Sequence, residues 1–118
     1  MFVSAVLEYE GTHFYGSQYQ RDLRTVQGEL ETALKSTFNY CRRVKFASRT
    51  DSGVHSLGQV VLINLGDTDI SLKDFRKAIN NNSPSDMSVR ECQEVTESFD
   101  PRRDAIAREY VYKISLKD

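Results

Sequence analysis

Asp51 is the side chain best placed to do chemistry. It lies in the run Ala47-Ser48-Arg49-Thr50-Asp51-Ser52-Gly53-Val54-His55-Ser56-Leu57-Gly58-Gln59-Val60, which passes directly into Val61-Leu62-Ile63. A carboxylate between an arginine and a glycine turn, leading into a buried strand, is how a fold presents one reactive group on rigid support. Arg49 two residues earlier would favour the ionised carboxylate, as a nucleophile needs and a general acid does not. Such a nucleophile attacks carbon, and sugar or unsaturated ring carbons are suitable targets. The competing reading is an ordinary turn in which the Asp51 carboxylate caps backbone N–H groups.

The other chemistry-bearing residues narrow the choice. His55 fits either a base or a hydrogen-bonded structural histidine. His13 and His55 lack the further ligands of a metal site. Neither a phosphate loop nor a dinucleotide fingerprint is present, because Gly11 and Gly16 follow neither spacing. Tyr110 and Tyr112 alternate onto one face of the last predicted strand, beside Arg108. Aromatic rings next to arginines suit a flipped base and its phosphates. Tyr112 reads as core, whereas Tyr110, nearer the strand end and the arginine, reads as a stacking residue.

A chain of 118 residues, 39% hydrophobic and 28% charged, supports one core and is too short for two ordinary domains. No run of about 18 apolar residues predicts a membrane span, and Phe2 to Leu7 lacks the basic start and cleavage site of a signal peptide. Cys41 and Cys92 are spaced as neither a metal nor a redox pair, and predict reduced thiols in a cytosol or nucleus. The net charge of −1 argues weakly against nucleic-acid binding. Its distribution argues the other way. Arg42, Arg43, Lys45 and Arg49 carry four positive charges with no acid among them before Asp51, and Arg102, Arg103 and Arg108 surround Asp104, while acids gather at Asp67, Asp69, Glu91, Glu94 and Glu97.

The elements that must hold these residues follow from periodicity. Val3, Ala5, Leu7 and Tyr9 alternate as a first strand. His13 to Leu23 is a polar, aromatic loop. Thr25 caps a helix to about Phe38 whose stripe is Val26, Leu30, Ala33, Leu34 and Phe38. Gly28 in its first turn suggests close approach of a backbone or ligand, or simple tolerance. Val44 and Phe46 form a short strand, Arg49 to Gly58 a loop, and Val60 to Leu65 a central strand. Ser71 with Asp74 makes a capping box, with Ile70 and Phe75 as a staple, for a helix that Asn80-Asn81-Asn82-Ser83-Pro84 stops. Ser88 to Val95 and a period-two segment from Glu109 to Leu116 are the last strands. This order predicts an α+β, ferredoxin-like split β-α-β sandwich, with helices on one face of a mostly antiparallel sheet and one additional C-terminal strand. Residues 1–105 form that subdomain, and 106–118 lead into a second subdomain absent from this chain.

Several blocks together resemble the tRNA pseudouridine synthase family of the TruA type. They are Tyr9-Glu10-Gly11-Thr12 with Phe14, Gly16, Gln18 and Gln20, then Arg24-Thr25-Val26-Gln27-Gly28-Glu29-Leu30, and Arg49-Thr50-Asp51-Ser52-Gly53-Val54-His55 with Gly58-Gln59-Val60. Asn80, Pro84-Ser85-Asp86-Met87, Phe99 with Arg102, and Arg108-Glu109-Tyr110-Val111-Tyr112 complete the match. The resemblance covers the whole chain but about half of a usual member. Arg103, Asp100 and Ser83 depart from it, standing where the family often has an aromatic, a histidine and a leucine.

The resemblance implies isomerisation of uridine to pseudouridine in the tRNA anticodon stem-loop, at positions 38 to 40, with no metal or organic cofactor. It makes Asp51 the nucleophile, acting at ribose C1′ or uracil C6. Arg49 would hold the flipped nucleotide open, and Tyr110 would stack on the uracil. Gln18, Gln20 and Arg24 would fall in the RNA-contacting loop, joined by the basic residues Arg42, Arg43, Arg102 and Arg108 and by His55. The expected compartment is the cytoplasm, or the nucleus in a eukaryote, with no membrane partner. The missing half would pack on the sheet edge and complete the cleft; this chain alone would be inactive, and its exposed edge would invite a homodimer. The rival reading is a non-catalytic ferredoxin-like RNA-binding module, which does not explain the Arg49–Val54 loop. A glycosidase fits less well, since Asp51 has no second acid.

Overall fold

The computed structural model describes residues 1–39 and 42–104. Its elements are β1 (Phe2–Tyr9), a 3-10 turn at Gly11–His13, α1 (Val26–Phe38), β2 (Lys45–Phe46), β3 (Ser56–Asn64), α2 (Leu72–Asn82) and β4 (Met87–Val95). The strands form one antiparallel sheet in the order β2-β3-β1-β4. Each helix therefore connects two strands that have a third strand between them, which is the split β-α-β arrangement. The expected ferredoxin-like α+β architecture is observed. Cys41, Arg108, Tyr110, Tyr112 and the expected last strand lie outside the described residues.

Alternation sorts the sheet into two faces. Val3, Ala5, Leu7 and Tyr9 of β1, with Val61 and Ile63 of β3 and Val89 of β4, meet Val26, Leu30, Ala33 and Leu34 of α1 and Phe75 and Ile79 of α2 in one core. On the opposite face Val6 and Val60 are buried under Ala47 and Phe99. Strand β3 is thus covered on both sides, which explains its continuous apolar run. Sequence alternation misses its first residues. Ser56 already pairs with Tyr9, and Gln59 with Leu7, so the loop carrying Asp51 is shorter than the residue types suggest. Both ladders of β1 shift register near its end, after Val6 against β4 and after Leu7 against β3. Such irregularities re-aim the chain next to functional sites.

The helix signals are realised locally. Thr25 Oγ1 accepts the Gly28 amide at 3.0 Å, and Asn39 closes α1 in the left-handed region, donating its amide to Lys35 O at 2.8 Å. No other described backbone approaches Gly28: a Cβ there would lie 3.1 Å from that capping hydroxyl, a tight contact, and 3.8 Å from the Tyr19 ring, an ordinary one. Ser71 Oγ accepts the Asp74 amide at 3.1 Å, and Ile70 packs on the core. Helix α2 runs through Asn82, two residues past the first expected stop signal, because Asn80 is used for docking. Its amide donates to Val89 O at 3.0 Å and its carbonyl accepts the Val89 amide at 2.8 Å, pairing the helix side chain with β4. Cys92 is half-buried and its thiol donates to Leu72 O at 3.6 Å. No helix of the described residues is long and apolar enough to cross a membrane.

Candidate active site

Asp51 opens a turn between β2 and β3. The Val54 amide closes that turn onto Asp51 O at 3.2 Å, and Gly53 holds φ +79°, where a Cβ is unfavourable. The main-chain carbonyl of Asp51, rather than its carboxylate, therefore closes the turn. The side chain is exposed and makes no hydrogen bond or ion pair among the described residues. An acid used as a cap would be engaged with amides; no described residue engages this one.

The loop is rigid because the segment after β1 is stitched to it from below. Ser17, fully buried, donates its amide to Thr50 O at 3.0 Å while its hydroxyl accepts the Thr50 amide at 2.8 Å. The Gly53 amide donates to Phe14 O at 3.1 Å. Tyr9 OH shares a 2.8 Å hydrogen bond with Thr50 Oγ1. Buried Gln59 brackets Ser48, accepting its amide at 3.2 Å and donating to its carbonyl at 2.9 Å. The closest contact is at Gly11: a Cβ there would lie 2.0 Å from Val54 O. Only glycine lets the two backbones touch. Residues on both sides of Asp51 are thus held by bonds to β1, β3 and the Phe14–Ser17 segment. Ser17 O and Gly16 O also accept the Gln27 and Val26 amides of α1, at 2.9 and 3.2 Å.

Asp51 lines a cleft of about 530 Å³ together with Tyr15, Gln18, Tyr19, Gln20, Gln27, Arg49, Thr50 and Ser52. Arg49 and Gln18 also border a second cleft of about 620 Å³ on the open sheet face, together with Lys45, Phe46, Phe99, Arg102 and Arg103. Arg49 stands at the junction of the two and forms no ion pair with Asp51. Its proximity in sequence does not become a salt bridge. Arg102 is exposed at the second cleft, its amide bonded to Asp100 Oδ1 at 2.9 Å. Arg42 and Arg43 are exposed, and Arg43 lies 4.1 Å over the Tyr19 ring while pairing with Glu31 at 3.0 Å.

Two of the expected residues are placed elsewhere. Arg24 points away from Asp51 into a clamp. It forms a bidentate pair with Asp86, both bonds 2.8 Å, reaches Glu29 at 3.2 Å, and lies 4.2 Å over Phe14. The hydrogen bonds to Arg24 hold the Asp86 carboxyl below its ordinary range, and Asp86 in turn raises Arg24. Through Phe14, whose carbonyl takes the Gly53 amide, this clamp supports the loop from a distance. His55 borders a different groove, with Glu10, Leu57 and Met87. Its Nδ1 accepts the Gly11 amide at 2.7 Å. Glu10 Oε1 lies 3.2 Å from the same nitrogen and is an ion-pair partner only to a protonated ring. A hydrogen bond from Thr12 is the main influence holding the Glu10 carboxyl below its ordinary range. The described residues contain no cluster of three metal-ligating side chains.

Ser17, Gln59, Tyr9 and Gly11 carry the loop without any sequence signal that singles them out as supports. Tyr15 and Tyr19 also escape sequence reasoning as ligand contacts, although their aromatic loop is visible there.

A family described as tRNA pseudouridine synthase matches residues 5–102 of this chain. Among curated relatives, tRNA pseudouridine synthase A of Thermotoga petrophila is 44% identical over 112 residues, covering 95% of this chain and 46% of that protein. Its namesake in Geobacillus sp. is 42% identical over 117 residues, 97% of this chain and 46% of that protein. The Vibrio atlanticus protein of the same name is 43% identical over 114 residues, 97% and 43%. The chain spans about half the length of the curated relatives it matches.

Proposed function

The chain belongs to the tRNA pseudouridine synthase family, and from that premise we propose that Asp51 is the nucleophile that converts uridine to pseudouridine in the tRNA anticodon stem-loop. The observation that carries this reading is the Asp51 carboxylate itself, exposed to a cleft and unengaged, on a loop whose neighbouring residues are pinned. Rigid support for a group with no internal task is what a covalent catalyst requires. The carboxylate attacks carbon, at C1′ or C6, and the uracil is released from its N1–C1′ bond and rejoined through C5. The proton on C5 must then leave, so turnover is read directly as tritium released from 5-tritiated uridine.

Arg49, between the two clefts, holds the flipped nucleotide open, and Tyr110 stacks on the uracil. Gln18 and Gln20 contact RNA beside Asp51, and Arg42, Arg43, Arg102 and Arg108 meet its phosphates. Arg24 and His55 support that surface indirectly, Arg24 through Phe14 and His55 through Gly11. Residues 106–118 lead into a second subdomain that packs on the sheet edge and closes the cleft. Without it the present chain does not turn over, and its open edge pairs with a second copy.

The test replaces Asp51 with Asn in the complete enzyme and follows tritium release from anticodon stem-loop RNA. Loss of at least about a thousandfold, with RNA binding retained, is expected of a missing nucleophile. Undiminished release sinks the assignment.

A further inference from the structure

The cleft beside Asp51 contains two tyrosines that neither the core nor the proposed reaction accounts for. Tyr15 is 53% exposed and Tyr19 48%, whereas Tyr9 and Phe14 are buried against each other edge to face. Both exposed rings border the cleft that Asp51 lines. We propose that Tyr15 and Tyr19 form a stacking subsite for an unpaired nucleobase flanking the target uridine. This inference rests on the reading of Asp51 as a nucleophile acting on RNA, and adds to it how the neighbouring strand is held.

The main chain of each tyrosine is fixed before any ligand arrives, and the Tyr19 ring is also held from one side. The Tyr15 amide donates to Arg24 O at 2.7 Å, and its carbonyl accepts Gln20 Nε2 at 2.7 Å. The Tyr19 amide donates to Oε1 of buried Gln27 at 2.8 Å. Gln27 continues to Glu31 at 3.0 Å, and Glu31 holds Arg43, whose guanidinium covers one face of the Tyr19 ring at 4.1 Å. A base then has the other face. Two exposed aromatic surfaces beside a carboxylate suit single-stranded nucleic acid, because every base has a π-face and stacking tolerates sequence variation. An apolar ligand would not explain the glutamines Gln18 and Gln20 on the same wall, which match the polar edges of bases.

The experiment uses the complete enzyme carrying Asp51→Asn, so that stacking is read without turnover. Anticodon stem-loop RNA carries the fluorescent base 2-aminopurine immediately 5′ or 3′ of the target uridine. Binding should quench the fluorescence at one of these positions. Tyr15→Leu and Tyr19→Leu should abolish that quenching and weaken binding by about tenfold each, the scale of one lost stack. Tyr15→Phe and Tyr19→Phe should keep both, which separates stacking from a fold defect. With an abasic residue at the quenched position, the Leu substitutions should become silent. Wild-type affinity and quenching in the Leu variants overturn the proposal, as does a tenfold loss that persists with the abasic RNA. Tritium release undiminished by Asp51→Asn would instead refute the nucleophile assignment and leave the stacking result standing.

Discussion

Replacing Gly11 with Ala tests whether the Asp51 loop owes its position to one backbone contact. The added Cβ would lie 2.0 Å from Val54 O, 2.4 Å from Val54 C and 3.0 Å from Gly53 C. Ordinary contact begins near 3.4 Å, so one main chain must retreat by about 1.4 Å from the other. No side-chain rotamer can absorb this, because every atom named belongs to the backbone. The displaced atoms are those of the turn that Asp51 opens, and the Gly11 amide loses its 2.7 Å bond to His55 Nδ1 as they part. Overpacking of this kind destabilises by roughly 1–3 kcal/mol, which for a domain of this size lowers Tm by roughly 5–20 °C. A displacement above 1 Å at a reacting group reduces rate by about a hundredfold. Single-turnover tritium release at saturating RNA should therefore fall by about that factor in the complete enzyme, while Kd for RNA stays nearly constant. Gly58→Ala is the control, since its Cβ would meet only Val6 Cγ1 at an ordinary 3.8 Å. Wild-type turnover in Gly11→Ala, or an equal loss in Gly58→Ala, would refute the reasoning.

Two further predictions concern the supports around the loop. Asp86→Asn removes the charge that holds Arg24; with side chains 20% and 32% exposed, the pair should contribute about 1–2 kcal/mol at neutral pH. Because Arg24 depresses the folded carboxyl, that contribution is complete above the ordinary Asp range near pH 4. It declines as pH falls through the lower folded value, so denaturation curves of the two proteins should converge in acid; a gap independent of pH contradicts the clamp. Tyr9→Phe deletes the 2.8 Å bond to Thr50 Oγ1 and leaves the ring in the core. It should lower stability by about 1 kcal/mol and slow single-turnover release severalfold, and an unchanged rate would show that this bond does not position Asp51.

How legible the fold was depended on how local each signal is. Alternation at Val3, Ala5, Leu7 and Tyr9 and the caps at Thr25 and Ser71 act within a few residues, and all are realised. The start of β3 was obscured because Ser56 to Gln59 has no apolar alternation and is strand only by pairing with β1. Asn80 resembles a stop signal in sequence, yet continues the helix because its amide docks on Val89. Arg49 and Asp51, two residues apart, invite a salt bridge that the turn between β2 and β3 does not make.

By itself the sequence determined the fold class and the family, and it singled out the carboxylate proposed here as the nucleophile, since these depend on period, caps and one unbroken motif. Tertiary structure decided which polar groups serve the site. Arg24 meets Asp86 across 62 positions, Gly11 meets His55 across 44, and Tyr9 meets Thr50 across 41. Nothing local in the chain encodes those meetings; they arise because the antiparallel pairing of β1 with β3 and β4 carries the segment after β1 beneath the Asp51 loop. The same closure leaves Tyr15 and Tyr19 outside the core, where a ligand can reach them.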